Sequence, residues 1–195
     1  MQKPRVKRHA VTQPSDPSYR FIPLTQNQNA IVDAADYEWL NQWNWQAAWR
    51  EACKSFYAHR TQHTHGEFIG MHSLIMNCKN VDHKNHDTLD NRRGNLRRCT
   101  TSQNHYNRAK APSNKSGFKG VCWSKEMHKW VVQIKVAKKN TVVGYFTSVE
   151  DAARAYDEAA KKLHGEFAYL NFPQAERPVI ERAPSGQSPT PPLLP

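Results

Sequence analysis

Cysteine is sparse and poorly spaced for metal binding. The four cysteines, Cys53, Cys78, Cys99 and Cys122, form no C-x-x-C pair. This argues against a structural zinc knuckle and for reduced, scattered thiols in a cytosolic protein. Long apolar runs are missing as well. No segment approaches the roughly 20 apolar residues of a membrane-spanning helix. The basic N-terminus has no apolar run behind it, so no secretory signal is expected. Acidic residues are the third shortage: 17 Asp and Glu stand against 28 Lys and Arg, for a net charge of +11 and a pI of about 9.6. Such an excess is the electrostatic footprint of a protein that meets a polyanion. The 195 residues include six tryptophans and are 38% hydrophobic, which favours one or two small domains over a single large core.

The positive charge is concentrated. Residues 79–139 hold 15 Lys/Arg against 4 Asp/Glu, while the rest of the chain holds 13 of each. Residues 1–19 are polar and proline-containing and read as a loose tail. Residues 174–195, with "APSGQSPTPPLLP", read as a disordered tail. A first unit spans 20–78. "FIPLTQNQNAIVD" reads as two short strands around a polar turn, Asp33 can cap a helix carrying Tyr37 and Leu40, and "SFYAHR" and "EFIGMH" read as further strands. Residues 43–51 are ambiguous between helix and strand, and His72 opens the short apolar run "SLIM".

A second unit spans 79–112 and contains "VDHKNHDTLDNRRGNLRRCTTSQNHYNR", which can be a basic surface loop, a zinc site or a nuclease site. Phosphodiester hydrolysis needs a base to activate water, a metal ion to stabilise developing charge, and a group to orient the base. Asp82 and His83 are adjacent, so they can cooperate only where a strand ends or bends. Asn95 follows His83 by 12 residues and Asn104 by 21. "CTTSQNHYN" is a helix start, with Thr100 as cap and Gln103 three residues later, so a strand, loop and helix would return Asn104 towards Asp82 and His83. One carboxylate and one amide oxygen suit Mg²⁺ or Mn²⁺, with the remaining positions left to water and phosphate. An imidazole with an ordinary pKa of about 6.5 suits a general base. An asparagine accepting its N–H would fix the tautomer without adding negative charge. Each residue taken alone has a plainer reading as a strand-end or loop residue.

Taken together, "VDHKN-x-D-x-LDNRRGNLR-x-x-T-x-x-x-N" closely resembles the HNH nucleases, whose fold is a ββα-metal finger. It looks most like the phage and intron-encoded homing branch, whose N-terminal part "MHSLIMN" and "IVDAADYEWL" also resemble. The resemblance implies that Asp82 and Asn104 bind one divalent metal, His83 is the general base, and Asn95 positions His83. Many members carry "MHRLI", where this chain has Ser73 in place of the arginine. His72 is either a core histidine or a phosphate contact, and His86 and His105 read as solvated or DNA-facing. Arg92, Arg93, Arg97 and Arg98 flank the site and are expected to clamp phosphates, which would make binding strongly salt-dependent.

Residues 113–173 alternate sharply. In "KWVVQIKV", Trp130, Val132, Ile134 and Val136 share one face and Lys129, Val131, Gln133 and Lys135 the other. "SGFKGVCWS" and "VVGYFTS" read as flanking strands and "KKNT" as a turn. "SVEDAARAYDEAAKKLHG" is an amphipathic helix capped by Ser148 and ended by Gly165. Its apolar stripe is Val149, Ala152, Ala153, Tyr156, Ala159, Ala160 and Leu163. With the ending "YLNFP", this unit resembles the APETALA2/ERF DNA-binding domain, in which a three-stranded sheet enters the major groove. The resemblance places Lys119, Trp123, Lys125, Lys129, Gln133 and Lys135 on or near the DNA-facing sheet, with Trp130 in the core.

The expected fold class is therefore α+β: a ββα-metal nuclease module, then a three-stranded antiparallel sheet with one packed helix. The expected function is a homing or phage-encoded DNA endonuclease acting on double-stranded DNA in a bacterial or phage-infected cytoplasm. It would use Mg²⁺ or Mn²⁺, with no small-molecule cofactor and no membrane partner. A monomer would nick one strand, and a homodimer on DNA could cut both. The alternative is a non-catalytic, sequence-specific DNA-binding regulator with a decayed nuclease module.

Overall fold

The computed structural model describes residues 9–51, 53–61, 66–137 and 139–173. The expected tail 174–195 and residues 1–8 of the expected tail 1–19 lie outside them. The chain clusters into two compact units that divide between Arg97 and Arg98. Each is a mixed α/β unit with antiparallel sheets.

In the first unit, β1 (Tyr19–Pro23) and β2 (Asn29–Asp33) form a hairpin with Phe21 opposite Ile31. Gln26 and Asn27, at the turn, have φ of 57° and 53°, the primed-turn geometry that matches the twist of paired strands. Asp33 sits at the N-cap of α1 (Ala34–Asn41), but its side chain makes no cap hydrogen bond. Its carboxylate accepts the Arg93 backbone N–H instead (2.8 Å). The ambiguous segment resolves into β3 (Gln46–Arg50), which pairs with β4 (Ser55–Thr61) and then β5 (Phe68–Gly70). "MHSLIM" is α2 (Met71–Met76), whose i, i+4 pair Met71 and Ile75 is buried, and Asn77 ends it in the left-handed region. Val81–His83 is β6 and Leu96–Arg98 is β7, paired with each other. One core gathers Ile22, Val32, Leu40, Trp45, Met71, Ile75, Val81 and Leu96. Trp45 is fully buried and donates its indole N–H to Leu40 O (2.8 Å), as a buried tryptophan requires.

The second unit opens with α3 (Thr101–Tyr106), where the expected capping box forms between Thr100 and Gln103. β8 (Val121–Ser124), β9 (Lys129–Val136) and β10 (Lys139–Phe146) make a sheet with β9 central. Lys139, Asn140 and Thr141 already pair with β9, so the expected "KKNT" turn is displaced towards Ala137, which has φ 48°. A register shift between Val142 and Gly144 bends β10. α4 (Val149–His164) is capped by the Ser148 hydroxyl, which accepts the Asp151 N–H (3.2 Å). Ala152, Ala153, Tyr156 and Ala160 pack against Val121, Val132 and Ile134; the small residues let helix and sheet approach closely. Leu163 is half exposed, and Asp157 and His164 are buried. Asp157 is buried because it is satisfied: its carboxylate accepts the backbone N–H groups of Asn171 (2.7 Å) and Phe172 (2.8 Å), which ties "NFP" to α4. Gly120 has φ +75°, and a Cβ there would fall 2.1 Å from the Tyr156 ring. Only glycine fits. No helix among the described residues is long and apolar enough to cross a membrane.

Candidate active site and nucleic-acid interface

In the first unit the site is built on β6 and the loop 84–95. Asp82 and His83 are both 5% exposed. Asp90, fully buried, organises the loop: it accepts Arg92 Nε and Nη2 (both 2.8 Å) and Asn85 Nδ2 (3.1 Å). The loop is pinned to β2, where Ile31 N–H donates to Leu89 O (2.8 Å) and Asn91 N–H to Ile31 O (2.7 Å). These contacts come from residues far apart in sequence and fix where the His83 ring can lie.

Asn95 does not touch that ring. Its Nδ2 donates to Asp90 O (2.7 Å), its Oδ1 accepts the Asn85 N–H (3.0 Å), and its backbone O accepts the Lys84 N–H (2.9 Å). It therefore steadies the two residues that follow His83 and acts on His83 through the main chain. Asn91 takes the place expected for Asn95 at the ring. Its Oδ1 lies 3.4 Å from His83 Nε2 while its Nδ2 donates to Leu89 O (3.1 Å). The Leu89 contact sets the amide orientation, so this long contact favours the proton on Nε2 and the lone pair on Nδ1. The His83 pKa is lowered, chiefly by burial and against the Asn91 and Asp82 contacts. The sequence does not mark Asn91 out among the asparagines of the segment, because its role depends on how the loop closes.

Three rings stand together at the site. His72 and His83 are 5.2 Å apart, Tyr57 and His83 6.1 Å, and Tyr57 and His72 5.9 Å, all edge-to-face. His72 is held neutral, its pKa lowered to about 3 by burial and then by His83 and Arg50. The Tyr57 hydroxyl is raised above its ordinary value, mainly by burial.

The expected phosphate clamp needs correction. Arg97 donates Nε (2.8 Å) and Nη2 (2.7 Å) to Asp82 Oδ2 and is 10% exposed. Arg92 is forked onto Asp90. Arg93 is forked onto Asp36 (2.7 and 2.8 Å) and also donates to Ile75 O. The three guanidiniums satisfy buried carboxylates, a strong and geometrically specific arrangement, and so hold the unit together. Arg98 is exposed. Asn104 is exposed on α3 in the second unit, and His105 is exposed in the same helix. His86 occupies a left-handed turn position, φ 65°. Among the described residues no group of three or more His, Cys, Asp or Glu could hold a metal. Asp82 and Asn104, the expected metal ligands, fall in different units.

In the second unit the register fixes the faces of the sheet. Val121 opposes Val132 and Trp123 opposes Trp130, so all four lie on the helix side. Cys122, Lys129, Val131, Gln133 and Lys135 face away, together with β10 residues Val142 and Tyr145, which oppose Gln133 and Val131. A family profile described as AP2 domain matches residues 116–166. Protein 3.8 of Escherichia phage T7 is 32% identical over 88 residues, 45% of this chain and 72% of that protein. The chain belongs to the family of protein 3.8 and carries an AP2 domain.

Dehydration-responsive element-binding protein 2E of Oryza sativa subsp. japonica is 49% identical over 47 residues, 23% of this chain and 15% of that protein. An uncharacterized HNH endonuclease of Acanthamoeba polyphaga mimivirus is 35% identical over 94 residues, 47% of this chain and 46% of that protein. The chain spans well under half the length of the plant relatives it matches.

Within the AP2 domain, Lys129, Gln133 and Lys135 are exposed on the outer face and Lys125 is exposed in the turn before it. Two expected DNA contacts differ. Trp123 packs edge-on against Trp130 at 5.1 Å on the helix side, although 48% exposed. It lies at the sheet's end, and pairing with Trp130 sets its face. Lys119 precedes β8, and its Nζ donates to Tyr106 O and Arg108 O (both 2.6 Å). Burial lowers its pKa to about 8. Tyr106 itself stacks on His164 at 3.8 Å, so Lys119 fastens α3 to the AP2 domain. Val142 and Tyr145, not expected from sequence, add apolar surface to the outer face.

Proposed function

We propose that the chain is a metal-dependent HNH-type DNA endonuclease, phage-encoded or homing, that its AP2 domain brings to double-stranded DNA. The reading is carried by one observation: His83 is buried beside Asp82 with its tautomer favoured by Asn91, inside a loop braced by Asp90 and Asn95. That is how a general base is prepared rather than how a surface histidine sits. His83 Nδ1 takes the proton of the attacking water as the new P–O bond forms, the bond to the leaving oxygen breaks, and that oxygen takes a proton from solvent water. Asp82 and Asn104 would hold one Mg²⁺ or Mn²⁺, which supplies charge stabilisation at the phosphate. Asn95 and Asn91 orient the base, and Lys129, Gln133 and Lys135 engage the DNA, the lysines at phosphates and Gln133 at a base edge.

Arg97 favours a second reading. Its guanidinium occupies Asp82 Oδ2, which suits a DNA-binding regulator whose nuclease module has decayed. Conversion of supercoiled plasmid in Mg²⁺ separates the two. The wild type should yield nicked or linear DNA, and His83→Ala should still shift DNA in a gel while losing conversion by several orders of magnitude. If wild type and variant both shift DNA and neither cuts, the regulator reading stands. If His83→Ala cuts as well as wild type, His83 is not the base.

A further inference from the structure

Once Arg92, Arg93 and Arg97 are committed to carboxylates, the site needs another cation for a phosphate. Arg50, at the end of β3, is exposed and forms no ion pair among the described residues; its guanidinium lies over the Tyr57 ring, 5.0 Å from the centroid. The β3–β4 register explains this placement. Tyr57 opposes Ala48 and Arg50 opposes Ser55, so Arg50 and Tyr57 are diagonal neighbours on one face, within reach for long side chains. The same Tyr57 ring meets the rings of His72 and His83 edge-on. An aromatic face holds a guanidinium by cation–π attraction and leaves its N–H donors outward.

His72 adds a second feature. Its Nδ1 is buried and has no hydrogen-bond partner among the described residues, which is rare for a polar atom. Gly70 makes room for the ring: a Cβ there would sit 2.9 Å from His72 Cε1. A neutral imidazole with an unpaired nitrogen can donate to a phosphate oxygen without competing for metal.

We infer that Arg50 and His72 form a phosphate-oxygen site beside His83, with Tyr57 as the platform that positions the guanidinium. The ligand is a phosphate group, and under the endonuclease reading on which this rests it is the scissile phosphodiester. Two experiments separate the inference from that reading. The first is titration of the full chain with inorganic phosphate, followed by the ring-proton NMR signals of His72 and His83. Both should shift in the wild type and stay fixed in Arg50→Ala; no shift in the wild type, or the same shift in Arg50→Ala, overturns the site. The second is plasmid cleavage at saturating DNA. Arg50→Ala should lower turnover by about 10²-fold, with a much smaller loss of DNA affinity in gel shift and partial recovery in Arg50→Lys. Equal turnover in Arg50→Ala also overturns the site. A wild type that does not cut, yet shows phosphate shifts that need Arg50, removes the endonuclease reading and leaves the phosphate site in place.

Discussion

Arg92, Arg93 and Arg97 in the first unit and Lys129 and Lys135 in the AP2 domain come from one basic segment, yet the fold uses their charges differently. The arginines pair with the buried carboxylates of Asp90, Asp36 and Asp82, although Arg93 stays half exposed. The lysines stand on an open sheet face with Gln133 between them. Local charge counts treat the two groups alike. Asp36, however, lies 57 residues from Arg93, and Asp82 lies 15 from Arg97 across a hairpin. A guanidinium also forks onto a carboxylate where an ammonium cannot, so residue type as well as position separates a brace from a contact.

Substitutions sort these roles by their effect on stability. Arg97→Leu should have the largest, about 3 kcal/mol lost in chemical unfolding, because it strands the buried Asp82 carboxylate. The salt dependence of DNA binding should not change. Intact stability with a shallower salt slope would make Arg97 a phosphate contact. Lys119→Met should show a smaller, pH-dependent effect. With a folded pKa near 8, below the ordinary lysine value, the folded state releases a proton between about pH 8 and 10.5 that the unfolded state keeps, so wild-type stability rises with pH across that window. The gain should be on the order of 1 kcal/mol between pH 7.5 and 9.5. It should vanish in the variant, and an equal rise in both would place Lys119 in solvent.

Local signals made much of the fold readable from sequence. Alternation in "KWVVQIKV", the Ser148 and Thr100 caps, and the β1–β2 turn all reappear in the structure. Where distance in sequence matters, the reading fails. "MHSLIM" is a helix because Met71 and Ile75 both reach the core. Asp33 leaves its cap for the Arg93 N–H. The adjacency of Asp82 and His83 is visible in sequence, but Asn91 at the ring, Asn95 on the loop backbone and Arg50 on Tyr57 all depend on loop closure and strand register. Trp123 shows the same limit, since its face is fixed only by pairing with Trp130.

The salt dependence of DNA affinity in Lys129→Ala/Lys135→Ala tests the division of charge most directly. These exposed changes should move stability by no more than about 0.5 kcal/mol. They should weaken binding and reduce the slope of log affinity against log salt by about 2, near 0.9 per lost phosphate contact. An unchanged slope in this variant, with a reduced slope in Arg92→Ala or Arg93→Ala, would contradict the account and return the DNA contacts to the loop.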